Sequence, residues 1–342
     1  MSILLTLIII AILILVHEWG HFITARRIGI PVYEFSIGFG YKIFSYKKNG
    51  VEYSWRLVPL GGFVRMAGEE LGDPDDPNGF NRRTPLEKIR VSFAGPFMNF
   101  VLALLIFIYS YSVIGIPQAS DQPVIGTVIA EKPADLAGIK SGDRIISVND
   151  MPVKSWREFD NLTGKFENQM LQLKISRNKE VLNFNVTPVK LDSTGNRGIG
   201  VLNTVTYEKQ AITTSIKLGL QHTYELTLLL LSALAMLVSG GASMGDLAGP
   251  VGITRLVGEF AQVGTVFLLN FAAFLSINLG LMNLLPIPAL DGSKIVFALV
   301  EAVRRKPLDP DKEGFINWIG FMFLIGLMVI VTFNDIVRWI KG

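Results

Sequence analysis

Two histidines and a glutamate lie in an otherwise apolar stretch near the amino terminus, His17-Glu18-Trp19-Gly20-His21. Residues four apart share one face of a helix, so both imidazoles can reach one metal ion. Glu18 is close enough to act on a water molecule beside that ion. Structural histidines are the plainer interpretation, but ionisable side chains in a membrane-spanning segment indicate function, so metal binding is favoured.

A third ligand is required, because a catalytic zinc ion keeps three protein ligands and one open position. The remaining histidine, His222, is predicted on the opposite side of the membrane. Asp291 follows two helix-breaking prolines, Pro286 and Pro288. An unwound backbone at membrane depth is tolerated only where it faces protein or a wet cavity. Asp291 is therefore the candidate third ligand.

The composition is that of a membrane protein with some soluble mass. Of 342 residues, 50% are hydrophobic and 18% are charged, against about 25% charged residues in soluble domains. The net charge of +3 comes without a basic stripe, so no nucleic acid is expected as a partner. The chain has no cysteine, which excludes disulfides and thiolate metal ligands.

Four apolar runs are long enough to cross a bilayer, which requires roughly 20 residues. The first run has no basic leader and no cleavage site, which predicts a retained helix and not a signal peptide. The Lys/Arg bias places residues 26–93 and 303–314 in the cytoplasm and the long segment after the second run outside. The four runs are residues 2–25, 94–116, 263–290 and 315–333.

A fifth apolar run, residues 226–238, is too short for a confident crossing. Runs of about 10–14 apolar residues are more often interfacial or re-entrant. The metal site supports this interpretation. If the chain crosses the membrane outward in the second span and inward in the third, Asp291 lies on the same side of the membrane as His17. Another full crossing would leave Asp291 on the wrong side. We therefore expect an interfacial or re-entrant helix here.

The first loop contains a β-hairpin signal. Asn49-Gly50 is the preferred type I′ turn pair, and apolar and polar residues alternate from Val51 to Leu57. Two uses fit the apolar face, an ordinary hairpin core and a surface that dips into the membrane. Further on, Thr84-Pro85-Leu86-Glu87 offers a capping box, which predicts a short interfacial helix before the second span.

The outer segment resembles PDZ domains of the bacterial protease type over most of residues 124–190. A strand-like run is followed by a helix ending near Gly138, a strand over Arg144–Val148 and a turn at Asn149-Asp150. Such domains bind extended peptides by edge-strand addition. A spacer or lid is the alternative.

The ordered motifs resemble the bacterial site-2 proteases, membrane-embedded zinc metalloproteases of regulated intramembrane proteolysis. The resemblance covers essentially the whole chain and points to the subgroup with PDZ domains outside the bacterial cytoplasmic membrane. It implies one Zn²⁺ held by His17, His21 and Asp291, with Glu18 as the catalytic base. One departure is a single PDZ-like unit where better-known members carry two. The motifs are HEWGHFITARRIG, PLGGFVRMAGE, AGPFMNF, LAGPVGI and NLLPIPALDG.

The resemblance also implies how substrate is held. Asn283 is expected to help hold the substrate backbone, and the strand near Pro59–Met66 is expected to pair with it through Gly61, Gly62 and Phe63. The substrates implied are single-pass membrane proteins, such as an anti-sigma factor or a remnant signal peptide. The outer PDZ-like domain would exclude bulky substrates until a site-1 protease has trimmed them.

The sequence therefore predicts a polytopic α-helical membrane protein of four transmembrane helices, with a membrane-associated β-hairpin and one inserted PDZ-like α+β domain. The expected regions are 1–116, 117–200, 201–262 and 263–342. The predicted function is intramembrane proteolysis. A catalytically inactive PDZ scaffold is disfavoured because binding alone needs no Glu18 beside the metal. A zinc transporter is disfavoured because such proteins usually show repeat symmetry, and none is visible here.

Overall fold

The computed structural model describes residues 2–69, 76–166, 169–190, 197–241 and 248–341. Two compact units are formed, one from Met1–Val113 with Gln210–Gly342 and the other from Ile114–Lys209. Before the insert the elements are α1 (Ser2–Ile28), β1 (Val32–Lys48), β2 (Val51–Met66) and α2 (Pro85–Tyr109), the last continued by a π-helical turn over Ser110–Ile114.

The inserted unit contains short strands and two helices. Its elements are β3 (Ile116–Ala119), β4 (Ile125–Val128), α3 (Pro133–Leu136), β5 (Arg144–Val148), β6 (Met151–Pro152), α4 (Trp156–Lys165), β7 (Leu171–Arg177), β8 (Glu180–Val186), β9 (Val189–Lys190), β10 (Arg197–Gly198), β11 (Val201–Asn203) and β12 (Val205–Glu208). After the insert follow α5 (Ile212–Val238), α6 (Pro250–Val263), α7 (Thr265–Asn283), α8 (Asp291–Arg304) and α9 (Pro310–Lys341).

Several long apolar helices make the chain a polytopic membrane protein. In the described part of the chain, five helices are long and apolar enough to cross a membrane, namely α1, α2, α5, α7 and α9. Among the candidates is α5, which contains the apolar run 226–238 that was predicted to be interfacial or re-entrant. The helix begins at Ile212 and has 27 residues, so it is longer than its apolar run. The first half of α5 contains many polar residues, so hydropathy alone does not predict that the helix begins there.

Helix α2 lies between α1 and α7 and contacts both closely. An ideal Cβ at Gly20 of α1 would lie 2.3 Å from the carbonyl oxygen of Ala94, and one at Gly280 of α7 would lie 2.9 Å from that of Pro96. Glycine at each crossing lets the backbones approach, as is common between membrane helices. Residues 17–21 are thereby placed beside residues 95–99.

The capping box predicted at the start of α2 is present. The Thr84 hydroxyl accepts the Glu87 N–H, and the Glu87 carboxylate accepts the Thr84 N–H at 2.9 Å. The helix then continues without a break to Tyr109. The expected interfacial helix and the second apolar run are therefore one element.

A long hairpin follows α1, with its turn at Asn49-Gly50. Both turn residues have positive φ, 52° and 80°, as a type I′ turn requires. The β1–β2 register runs from Lys48↔Val51 at the turn to Val32↔Met66 at the base. The hairpin also folds back on itself, because residues 34–37 of β1 pair with residues 52–55 as well as with 62–65.

A buried polar cluster lies where the hairpin folds back. The Glu34 carboxylate accepts hydrogen bonds from Ser54 at 2.5 Å and from Arg56 at 2.7 Å. Burial alone would raise the pKa of the Glu34 carboxyl, but these hydrogen bonds outweigh it and lower the pKa. The cluster joins the base of the hairpin to its outer half, and so stabilises the fold-back.

The inserted unit is organised around a four-stranded antiparallel sheet in the order β6-β5-β7-β8. Its core is built from fully buried aliphatic residues such as Ile145, Leu171 and Leu173. Asp143, buried at the start of β5, accepts two hydrogen bonds from Arg177, each 2.7 Å long. Burial alone would raise the pKa of Asp143, but Arg177 outweighs it and lowers the pKa. This ion pair ties β7 to the turn before β5.

Candidate metal centre and active site

Three ligand atoms meet at the carboxyl-terminal end of α1 and the start of α8. The Nε2 atoms of His17 and His21 lie 3.2 Å apart, and the Oδ2 atom of Asp291 lies 3.0 Å from the first and 3.2 Å from the second. All three side chains are buried. The structure thus brings together the three residues that the sequence nominated as metal ligands.

The spacing of these atoms fits a zinc ion. Ligands about 2.0 Å from a tetrahedral ion lie roughly 3.3 Å from one another, close to the separations found here. Two imidazoles and one carboxylate are also a ligand set that a catalytic zinc site uses. In the described part of the chain no fourth candidate ligand joins the group, which leaves a position for water.

The hydrogen bond of His21 prepares it to bind a metal. Its Nδ1 atom lies 2.8 Å from the carbonyl oxygen of Val91 and can only donate to it. The proton is therefore on Nδ1, and the lone pair of Nε2 faces the other two ligands. Metal-binding histidines are generally oriented by such a bond on the second nitrogen.

Asn99 has the same role for His17. Its amide lies 3.2 Å from Nδ1 of His17, and its Oδ1 atom is buried without a partner. The two ends of an amide are assigned from their hydrogen bonds, and an Oδ1 turned towards His17 can accept the Nδ1–H of that ring. In this arrangement the lone pair of Nε2 of His17 is free for a metal, like that of His21.

Gly95 makes room for the metal ligands. An ideal Cβ there would lie 2.2 Å from Nε2 of His21 and 2.8 Å from Nε2 of His17. Any other residue would occupy the ligand position. The motif AGPFMNF contains Gly95 and Asn99, but no role was predicted for either residue. An asparagine in an apolar helix was the available signal for Asn99.

Glu18 and the ligands line one cavity of about 610 Å³. Phe63 and Asn283, the residues predicted to contact substrate, line this cavity too. Gly62 lies close by, since an ideal Cβ there would lie 3.7 Å from Cγ of Glu18. Gly61 is beside it on the same strand and packs against the Phe39 ring. The Asn283 side chain donates to the Leu279 carbonyl at 3.0 Å.

His222 does not belong to this group of ligands. Its Nδ1 atom is hydrogen-bonded to the Tyr111 hydroxyl, and its ring packs against Phe107. Tyr111 follows α2, at the end of the bundle away from Asp291.

Comparisons with known proteins identify the family of this chain. The model of peptidase family M50 matches residues 5–327. The chain is 34% identical to zinc metalloprotease RasP of Geobacillus kaustophilus, covering 99% of this chain and 98% of that protein. It is 33% identical to the regulator of sigma-W protease RasP of Bacillus subtilis, covering 97% of each. One solved structure, a PDZ domain of an SdrC-like protein from Listeria monocytogenes, matches 25% of this chain and 90% of that chain at 18% identity and a TM-score of 0.22.

The chain therefore belongs to peptidase family M50. It is a membrane zinc metalloprotease, and its cofactor is Zn²⁺.

Proposed function

We propose that this enzyme hydrolyses peptide bonds within or near the transmembrane segments of other membrane proteins. In this proposal His17, His21 and Asp291 hold Zn²⁺, and Glu18 is the catalytic base. The observation that carries it is the buried group of three ligand atoms, 3.0–3.2 Å apart, at the end of an apolar helix and in one cavity with Glu18.

The chemistry is divided between the metal and the chain. When bound, Zn²⁺ acts as a Lewis acid that activates water and polarises a peptide carbonyl. Glu18 takes the proton from the attacking water and later delivers it to the departing amine. Asn99 and the Val91 carbonyl keep the two imidazoles oriented. Asn283, at the cavity wall, helps hold the substrate backbone.

A substrate helix must unwind before it can be cut, because its carbonyls are engaged in i→i−4 bonds. The freed groups would cost several kcal/mol each in lipid unless they found partners. Residues 62–65 of β2 pair with β1 on one side, and among the described residues no strand pairs with their other side. Gly62 lies close to Glu18, since an ideal Cβ there would lie 3.7 Å from Cγ of Glu18. The open edge of this strand supports pairing with the unwound substrate through Gly61, Gly62 and Phe63.

The outer half of the hairpin is suited to a membrane surface. Tyr41, Phe44 and Trp55 are exposed there, and Lys42 and Lys47 belong to the same part of the hairpin. Aromatic rings with lysines near them are typical of the membrane interface. We therefore assign this part of the hairpin to the inner surface of the bilayer.

The contacts made by the chain just before and after α5 support four membrane crossings and not five. The Gln210 N–H, just before α5, donates to the Tyr111 carbonyl at 3.0 Å. After α5, the Gly252 N–H donates to Asp335 near the end of α9, and Gly258 packs against Ser2. Tyr111, Asp335 and Ser2 all lie at the end of the bundle away from the metal ligands. A chain that returns to its starting side fits an interfacial or re-entrant α5.

We propose that the metal site is near the cytoplasmic side of a bacterial cytoplasmic membrane and that the insert is outside, and the Lys/Arg bias supports this orientation. We propose that the insert acts as a PDZ-like filter, so that single-pass substrates are cut after another protease has trimmed them. The name of the Bacillus subtilis relative, a regulator of sigma-W protease, supports regulatory proteolysis of this kind. An anti-sigma factor and a remnant signal peptide both suit the site.

Replacing Glu18 with glutamine tests the assignment. Glu18→Gln keeps the side-chain size and the three ligands, so one zinc per chain is expected by elemental analysis. Proteolysis is expected to fall by roughly 10²–10⁴-fold, seen as membrane-protein fragments that mass spectrometry finds in cells with the wild type and not with the variant. Glu259→Gln is the matched control, because Glu259 pairs with Arg255 on the surface.

Each rival function gives a different result. A scaffold would yield no fragments with either protein. A zinc transporter would carry zinc into proteoliposomes, and wild-type protein that does so without cutting any membrane protein would contradict the protease assignment.

A further inference from the structure

The loop that carries Asp291 has an unfavourable backbone. Residues 284–290 connect α7 to α8, and Ala289 within it has φ of 75°. This is the left-handed region, which residues with a Cβ rarely adopt unless their surroundings hold them there. Ala289 is two residues before Asp291, so the direction of the Asp291 carboxylate depends on how that conformation is maintained.

Helix α9 contacts the loop at this point. The Ala289 N–H donates to Oδ1 of Asn317, at 3.1 Å. One turn further along, an ideal Cβ at Gly320 would lie 2.4 Å from both Cβ and the carbonyl oxygen of Pro288. Asn317 and Gly320 are three residues apart and so share a face of α9. They hold the Pro288-Ala289 peptide by a hydrogen bond and a close backbone contact.

The other side of Asp291 is equally confined. An ideal Cβ at Gly292 would lie 2.2 Å from the carbonyl oxygen of Leu285, so the loop is folded tightly on itself. Between this closure and the α9 contact, the start of α8 has little freedom. Asn317 also lines the cavity that contains the metal ligands.

We propose that Asn317 and Gly320 position Asp291, so that metal affinity depends on a helix that supplies no ligand. The proposal rests on the assignment of Asp291 as a ligand made above. It gives α9 a function in the active site, as a support for the aspartate-bearing loop.

The first test compares two glycines of the same helix. Gly320→Ala places a methyl group against Pro288, whereas Gly326→Ala adds the same group where no atom lies within 4 Å. Competition with a chromophoric chelator measures the zinc dissociation constant of the purified full-length protein. We expect Gly320→Ala to bind zinc roughly 10- to 100-fold more weakly and Gly326→Ala to match the wild type. A Gly320→Ala protein that loses thermal stability without metal, yet keeps wild-type zinc affinity, would overturn the proposal.

The second test asks whether Asn317 acts through Ala289. Asn317→Leu keeps the size but removes the acceptor, so weaker zinc binding is expected. Glycine adopts positive φ without penalty, so in an Ala289→Gly background the same change should cost several-fold less affinity. An equal loss in both backgrounds would show that Asn317 does not act through this loop.

Asp291→Asn separates this proposal from the one on which it rests. If Asp291→Asn binds zinc as tightly as the wild type, the ligand assignment itself is wrong. If Asp291→Asn weakens zinc binding and neither Asn317→Leu nor Gly320→Ala does, only the role of α9 is wrong.

Discussion

The two histidine ligands are oriented by partners of different kinds. His21 donates to a backbone carbonyl, that of Val91, and no side-chain substitution removes this acceptor. His17 depends on the side chain of Asn99, which is fully buried between α1 and α7. The backbone oxygen of Asn99 also accepts the Ser276 hydroxyl at 2.8 Å. A mutation can therefore remove the orienting partner of His17, but no side-chain mutation can remove that of His21.

Asn99→Leu is expected to weaken zinc binding by roughly 10- to 100-fold, the usual range for a lost partner of a metal ligand. The leucine cannot accept the His17 Nδ1–H, so the ring loses its tautomer preference and its orientation. Asn99→Asp keeps an acceptor and should bind zinc more tightly than Asn99→Leu. Chelator competition on purified protein gives the dissociation constants.

Asn270→Leu on α7 is the control for this experiment, because Asn270 does not line the metal cavity. Its zinc affinity should equal that of the wild type. If Asn99→Leu also does, the imidazole of His17 is held by something other than Asn99.

Single residues were predictable where the signal is local. His17, Glu18 and His21 follow from the spacing within one helix, and Asp291 from a break in an apolar run. Asn99 and Gly95 were not predicted, because their roles depend on which turn of α2 faces α1. In helices that are apolar on all sides, the sequence pattern does not define the facing residues.

At the scale of elements, the open edge of β2 is the part that we propose to pair with substrate. Replacing Gly61 or Gly62 with proline would test whether β2 pairs with substrate, but both positions are crowded. An ideal Cβ at Gly61 would lie 2.4 Å from the Phe39 ring, and one at Gly62 would lie 2.6 Å from the Ser36 carbonyl oxygen. A substitution there would disturb the hairpin as well as the substrate, so a milder probe is needed.

Cysteine crosslinking supplies that probe, because the chain has no cysteine of its own. Phe63→Cys, in a Glu18→Gln background, is expected to crosslink to single cysteines placed along the cleaved segment of a membrane substrate. An extended substrate strand should react at alternate positions, because side chains of a strand alternate between faces. Crosslinks are scored by gel shift under non-reducing conditions.

Ile43→Cys is the matched control, since Ile43 is exposed on the outer half of the same hairpin and does not line the cavity. Crosslinks spaced three or four residues apart at Phe63→Cys would mean that the substrate stays helical beside β2, contrary to the pairing proposal.

Elements were predicted well where a short signal defines them. The hairpin turn follows from Asn49-Gly50 and the start of α2 from its capping box. The fold-back of the hairpin was not predicted, because it depends on contacts between residues far apart in the chain, such as Glu34 with Ser54 and Arg56. The length of α5 was missed because polar residues in its first half can also be helical.

At the scale of the whole molecule, the insert can be removed beyond a stem formed by the paired strands β3 and β12. Strands β3 and β12 pair from Ile116↔Glu208 to Ala119↔Val205, and the Ser120 N–H donates to the Thr204 carbonyl at 2.8 Å. The chain therefore enters and leaves the insert at neighbouring points. Cutting at residues 123 and 190 would leave β11 without its partner β4, whereas removing residues 121–203 leaves the stem intact.

Replacing residues 121–203 with a short Gly-Ser linker tests whether the insert filters substrates. The metal ligands and Glu18 all belong to the other unit, so the shortened protein should still bind one zinc and cut a trimmed substrate. If the insert excludes bulky outer domains, the shortened protein should also cut an untrimmed substrate that the full chain leaves intact. Immunoblots of co-expressed tagged substrate report both reactions. The same deletion combined with Glu18→Gln is the control, and cleavage that disappears in it is due to the shortened protein itself. A shortened protein that cuts trimmed substrate and still refuses the untrimmed form would place the filter in the helical unit.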